Sequence, residues 1–191
     1  TTSYNVAIGH NSQLLITTGE YNVTMGYQSL AASNISSNSI AIGYRSQENA
    51  LDSSNNIAIG TYTLRYTQPA TNDNICIGYE AMMMKRYGSR NISVGSYSFR
   101  KEDEKPERYQ GDSNVAVGYE SMYDTTGNYN IGIGDKSLRV SSTDSNIAIG
   151  FESQLNADTG AQNLSIGYRT LAASETGNYN VAIGHESQYR S

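Results

Sequence analysis

The sequence predicts an all-β repeat solenoid, on three observations. One glycine recurs at a nearly constant interval. A three-residue β-type alternation precedes it in every copy, and turn-forming residues follow. The glycines are Gly9, Gly26, Gly43, Gly60, Gly78, Gly95, Gly118, Gly134, Gly150, Gly167 and Gly184, spaced 17, 17, 17, 18, 17, 23, 16, 16, 17 and 17 residues apart. Self-similarity at such a period dictates the architecture before any local signal does. Residues 1–191 therefore read as a single array of eleven coils.

Each position can be numbered from its glycine. Position −1 is always aliphatic or Met (Ile8, Met25, Ile42, Ile59, Ile77, Val94, Val117, Ile133, Ile149, Ile166, Ile183), and position −3 is always Val, Ile or Leu. Position −2 between them is always small, with Ala in six copies. Period-two alternation with β-branched enrichment marks a strand. The −1 and −3 side chains share one face and −2 takes the other. The large face, with Ile8, Ile42, Ile59, Ile77, Ile133, Ile149, Ile166 and Ile183 as its main members, is expected to fill the core. The uncharged −2 face is expected to meet another backbone at close range.

The glycine suits a sharp bend or a close backbone approach. A second short extended stretch follows, with a long polar residue at +2 expected in solvent and Ser, Thr or Ala at +3. Turn residues such as Thr17-Thr18-Gly19 then close the copy. Stacked copies would rise about 4.8 Å per coil into a rod roughly 50 Å long.

Position −4 is Asn in ten copies: Asn5, Asn22, Asn56, Asn74, Asn91, Asn114, Asn130, Asn146, Asn163 and Asn180, with Ser39 the exception. A stacked Asn column can hydrogen-bond side chain to side chain along the rod. Asn22, Asn34, Asn91 and Asn163 also lie in Asn-x-Ser/Thr sequons, but three of them belong to the column, leaving Asn34 in a turn as the accessible acceptor. Each coil supplies two or three large apolar side chains per 17 residues or so, which barely offsets the ordering entropy of the backbone. A thin core of this kind calls for oligomerisation, with the −2 face as its expected site.

The phrases Asn180–Ser187 (NVAIGHES), Asn146–Ser153 (NIAIGFES) and Asn38–Ser46 (NSIAIGYRS) resemble the head repeat of trimeric autotransporter adhesins. They are also similar to arrays in phage and related viral tail-fibre proteins, which the TyrGlnSerLeu at 27–30 and the ThrThrGlyAsnTyrAsn at 125–130 favour. The resemblance covers essentially the whole chain. It implies a left-handed parallel β-roll packed as a homotrimer, in a fibre segment of a virion or cell surface used as stalk or head for attachment. The implied location is extracellular and the implied partner a glycan or protein receptor. Two alternatives stand beside it: a bacterial adhesin head binding host matrix, and a monomeric ice- or glycan-binding solenoid. The spacing of 23 residues and the frequent +1 aromatics depart from the pattern.

Charge and composition limit other functions. With 13 Lys plus Arg against 18 Asp plus Glu and no basic stripe, nucleic acid and anionic membrane are not expected partners. No apolar run reaches the length of a membrane span, so direct insertion is not expected. The chain begins with Thr and ends just after a motif, as expected for a piece of a longer protein whose targeting signals lie elsewhere. The lone Cys76 excludes an intrachain disulfide.

Catalysis needs convergent groups, and the two histidines, His10 and His185, sit ten coils apart. No enzyme activity, cofactor or metal is expected. Two features exceed the scaffold. Tyr27, Tyr44, Tyr79, Tyr119, Phe151 and Tyr168 at +1 form a broken aromatic stripe, and Tyr4, Tyr21, Tyr129 and Tyr179 form another at −5. Such rings suit glycan or protein contact, or packing over turns and between chains. The charged stretch 100–112, including Lys101, Glu104 and Arg108, reads as a solvated loop inserted in the array and a second candidate contact.

Overall fold

The computed structural model describes residues 4–67, 69, 71–83, 88–101, 111–156, 160–173 and 177–189. Among them the chain is all-β and without helix, a parallel β-solenoid. Its main sheet stacks eleven three-residue strands: Val6–Ile8, Val23–Met25, Ile40–Ile42, Ile57–Ile59, Ile75–Ile77, Ile92–Val94, Val115–Val117, Ile131–Ile133, Ile147–Ile149, Leu164–Ile166 and Val181–Ile183. Register is strict, so Ile57 faces Ile75, Ala58 faces Cys76 and Ile59 faces Ile77. Each coil is held in both directions: the Ile57 N–H donates to Asn74 O at 2.8 Å, and the Gly60 N–H donates to Ile42 O at 2.8 Å. Two short parallel pairs, Asn49–Ala50 with Tyr66–Thr67 and Asp124–Thr125 with Val140–Ser141, add partial ladders on the return path.

The alternation is the expected one, but the faces are exchanged. The small −2 residues point inward: Ala41, Ala58, Cys76, Ala116 and Ala148 are fully buried. The −1 and −3 aliphatics lie on the outer face of this chain; Ile77 and Ile133 are each 38% exposed, and Ile8 and Ile183 in the end strands more so. Ile42, Ile59, Ile149 and Ile166 are half-buried by their neighbours along the column. The coil is too narrow to hold two branched side chains per strand in its interior. Its filling comes instead from +4, where Leu30, Leu64, Met82, Phe99, Met122, Leu138 and Leu171 are completely or almost completely buried against the small −2 column. The +3 hydroxyls complete the interior, Ser29 Oγ donating to Ala41 O at 2.6 Å and Ser46 Oγ to Ala58 O at 2.9 Å. Size is matched locally: a Cβ added to Gly132 would lie 2.7 Å from Met122 Cγ.

The corners need left-handed backbone. The −5, +2 and +4 residues of every copy have positive φ, among them Leu64 (48°), Met82 (52°) and Tyr97 (58°). That conformation costs an L-residue about 1–2 kcal/mol. It persists because these N–H groups are tied to neighbouring coils: Leu64 N–H donates to Ala81 O and Met82 N–H to Ser98 O, each at 3.0 Å. The repeated glycine, with φ of 133° at Gly43, adds a close approach that no side chain fits. A Cβ on Gly9 would lie 2.5 Å from the carbonyl oxygen of Gly26.

The Asn column is buried from Asn22 to Asn163 and links coils mainly side chain to backbone. Asn56 Oδ1 accepts the Asn74 N–H at 2.9 Å, Asn114 Oδ1 the Asn130 N–H at 2.8 Å, and Asn130 Oδ1 the Asn146 N–H at 2.8 Å. Side-chain-to-side-chain bonds are the minority, as from Asn91 Nδ2 to Asn74 Oδ1 at 3.1 Å. Ser39 keeps the column continuous, accepting at Oγ from the Asn56 N–H at 3.3 Å.

Candidate binding surface

Corner geometry sets the +1 rings one above another outside the coil. Tyr27, Tyr44, Tyr79, Tyr119, Phe151 and Tyr168 are each 39–43% exposed. His10, Tyr27 and Tyr44 stack nearly parallel, with centroids 5.4 and 5.3 Å apart. Where +1 carries Thr61 or Ser96 instead of a ring, Tyr62 or Tyr97 at +2 fills the rung. The ladder then continues edge-to-face through Tyr44–Tyr62, Tyr62–Tyr79, Tyr79–Tyr97 and Tyr97–Tyr119 at 5.3–6.5 Å. It breaks at Asp135, whose Oδ1 accepts the Tyr119 N–H at 3.1 Å. It resumes as Phe151, Tyr168 and His185, stacked at 5.5 and 5.0 Å. Tyr62 and Tyr97 are missed by counting the +1 column alone; their signal is that each follows a copy's ring-less +1 residue. Of the −5 tyrosines, Tyr4 and Tyr21 stack at 5.1 Å, while Tyr129 and Tyr179 stand exposed.

Beside the rings runs a file of acid–arginine pairs that bridge coils. Arg65 Nε meets Glu48 Oε2 at 2.6 Å, Arg100 Nε meets Glu80 Oε2 at 3.0 Å, Arg139 Nε meets Glu120 Oε2 at 3.1 Å, and Arg169 Nε meets Glu152 Oε2 at 3.0 Å. The guanidinium groups also lie over rings, Arg100 at 5.4 Å from Tyr97 and 5.6 Å from Tyr123, and Arg139 at 5.1 Å from Tyr123. These contacts hold long side chains in one geometry, so the surface is pre-organised. The hydrogen bond to Glu80 and its charge push the Tyr79 hydroxyl up to about 12. Burial pushes the Glu120 carboxyl up, but hydrogen bonds from Tyr119 and Arg139 outweigh it and hold it below the usual carboxylate range.

Three coils of this file line an open, shallow cleft of about 350 Å³, formed by Glu80, Tyr97, Arg100, Tyr119, Glu120 and Tyr123. The charged stretch expected to stand in solvent begins differently. Lys101 is buried, 1% exposed, and paired with Asp124. A buried ammonium next to a carboxylate is anchored, so this end of the insertion is tied to the stack; Glu104 and Arg108 lie outside the described residues. Three of the four sequon asparagines, Asn22, Asn91 and Asn163, are buried in the column, and Asn34 is exposed. Among the described residues no group of three or more His, Cys, Asp or Glu is placed to hold a metal ion, and no helix is long and apolar enough to cross a membrane. No family model matches the chain, and no curated protein or solved structure matches it either.

Proposed function

We propose that the chain is a non-enzymatic segment of an extracellular fibre on a virion or cell surface: a left-handed β-roll of eleven coils, three copies of which pack side by side, serving as stalk or head for attachment. One observation carries the reading. The −1 and −3 positions place two large aliphatic side chains per coil on the outer face of the main sheet, along its whole length and without a charge among them. A monomeric protein rarely leaves a contiguous apolar strip of that extent in water.

The occupant that fits is the same chain. The strip repeats at the rise of a β-ladder, about 4.8 Å, and a second copy in parallel presents the same side chains at the same heights, coil for coil. Such an arrangement closes about an axis along the rod and buries the strip on every copy. Three is the copy number that the repeat resemblance implies. The aromatic ladder and its acid–arginine file lie on other columns of the coil, where they remain for attachment.

Light scattering tests the assembly. The expected mass is three times the 20.8 kDa of one chain. A mass of one chain would favour a monomeric solenoid whose aliphatic strip meets something other than itself.

A further inference from the structure

We infer that the trimer is locked in register at one coil, by the Tyr129 ring of each copy seated in the gap that Asp135 leaves in the aromatic ladder of the next; this rests on the trimeric reading and names the contact that fixes it.

Closure dictates which columns meet. Positions −5 and +1 flank the aliphatic strip on opposite sides, outside −3 and −1. When three parallel copies turn their strips toward a common axis, each contact is heterologous. The −5 edge of one copy then meets the +1 edge of the next. Cyclic symmetry about the rod also sets the same coil at the same height on every copy, so each coil meets its own counterpart.

The two columns complement each other along the array. Over the eight coils from Gly43 to Gly167, a ring at +1 goes with a residue other than Tyr at −5, as in Ser113 with Tyr119 and Ser145 with Phe151. The coil of Gly134 reverses the pattern. It has Asp135 at +1, Lys136 at +2 and, at −5, Tyr129, the one −5 ring in that span. Tyr129 is 63% exposed and stacks on no ring among the described residues, and Asp135 is exposed too. The end coils of Gly9, Gly26 and Gly184 carry rings in both columns, and there Tyr4 is taken up by stacking on Tyr21.

The gap has the size of one ring. Tyr119 and Phe151 border it two coils apart, about 10 Å at the β-ladder rise, and the parallel rungs of the ladder stack at 5.0–5.5 Å. One ring inserted midway stacks on both at the ordinary spacing and joins the two runs of the ladder into one. Asp135 Oδ1 accepts the Tyr119 N–H at 3.1 Å, and a carboxylate has capacity left to accept the hydroxyl of the incoming tyrosine. A ring at +1 in this coil would fill the place; aspartate leaves it open.

The double variant Tyr129→Cys, Asp135→Cys, treated with a short bis-maleimide and run under denaturing conditions, tests the contact. Bands of two and three chains are expected from it, and single-chain bands from either cysteine alone, because like positions do not meet at a heterologous contact. A link inside one copy would leave a single-chain band. Cys76 is buried, and burial pushes its thiol up, so it does not compete. A second readout needs no cysteine. Tyr129→Ala should raise at least about tenfold the concentration at which three-chain mass gives way to one-chain mass, and Tyr129→Phe, which keeps the ring, should stay within about threefold. Single-chain bands from a double variant of three-chain mass, or a Tyr129→Ala chain that assembles like the natural one, overturn the lock and leave the trimer standing. One-chain mass for the natural chain overturns both.

Discussion

The side-chain oxygen of Asn74 accepts two hydrogen bonds from Asn91 one coil along the rod, from its backbone N–H at 2.9 Å and its Nδ2 at 3.1 Å. Asn74 Nδ2 in turn donates to Gly88 O at 3.1 Å, so one buried side chain serves both strand and turn of the next coil. Replacing Asn74 by Ala leaves that N–H and that carbonyl buried without partners. The expected loss is about 1–3 kcal/mol per orphaned group, read as a fall in denaturant midpoint at unchanged slope. An unchanged midpoint would mean that the column does not hold the coils together.

Gln47 and Gln154 occupy +4, where neighbouring copies carry Leu30, Leu64 and Leu171, and both are buried with neither amide atom hydrogen-bonded. Gln47→Leu removes the desolvation penalty of an unpaired amide and restores the filling used in adjacent coils. It should stabilise by about 1–3 kcal/mol, visible as a higher melting temperature. A lower one would show that the amide has work to do in the interior.

Tyr79 supplies a pH dependence. Its hydroxyl is raised from 10.0 to about 12, first by the hydrogen bond to Glu80 and then by that residue's charge. Below pH 10.0 the folded and unfolded chains both hold the proton; between 10.0 and about 12 the unfolded chain releases it while the folded one keeps it. The contribution to stability is therefore complete below pH 10.0 and is lost as pH rises through that window. In a tyrosinate absorbance titration, Glu80→Gln should return the Tyr79 transition toward 10.0. If the last-titrating tyrosine is unmoved in that variant, the Tyr79–Glu80 contact is not the cause.

Strand positions, register and the −4 column were legible in the residues because each depends on backbone periodicity. Which face lay inside was not. Alternation separates Ile57 and Ile59 from Ala58, but the choice between them depends on coil width, a property of the closed turn. The constant small size at −2 and +3, with Leu, Met or Phe at +4, was the available sign of a narrow interior. Tyr62 and Tyr97 escaped notice because a ring can reach the same rung from +1 or from a left-handed +2 corner. Lys101 reads as solvated from composition, and only its apposition to Asp124, 23 residues away, buries it.

The central claim is that the outer aliphatic column meets other copies of the chain. Ile59 and Ile149 lie in that column, half-buried in the single chain, so an aspartate at either place reaches water in a lone solenoid and is trapped in a packed assembly. The most direct measurement is the light-scattering mass of the natural chain beside that of the double variant Ile59→Asp, Ile149→Asp, each with its β-type circular dichroism. Three-chain mass for the first, and the 20.8 kDa mass of one chain with the β signal retained for the second, is the predicted result. A natural chain that is already single, or a double variant that keeps three-chain mass, would contradict the claim.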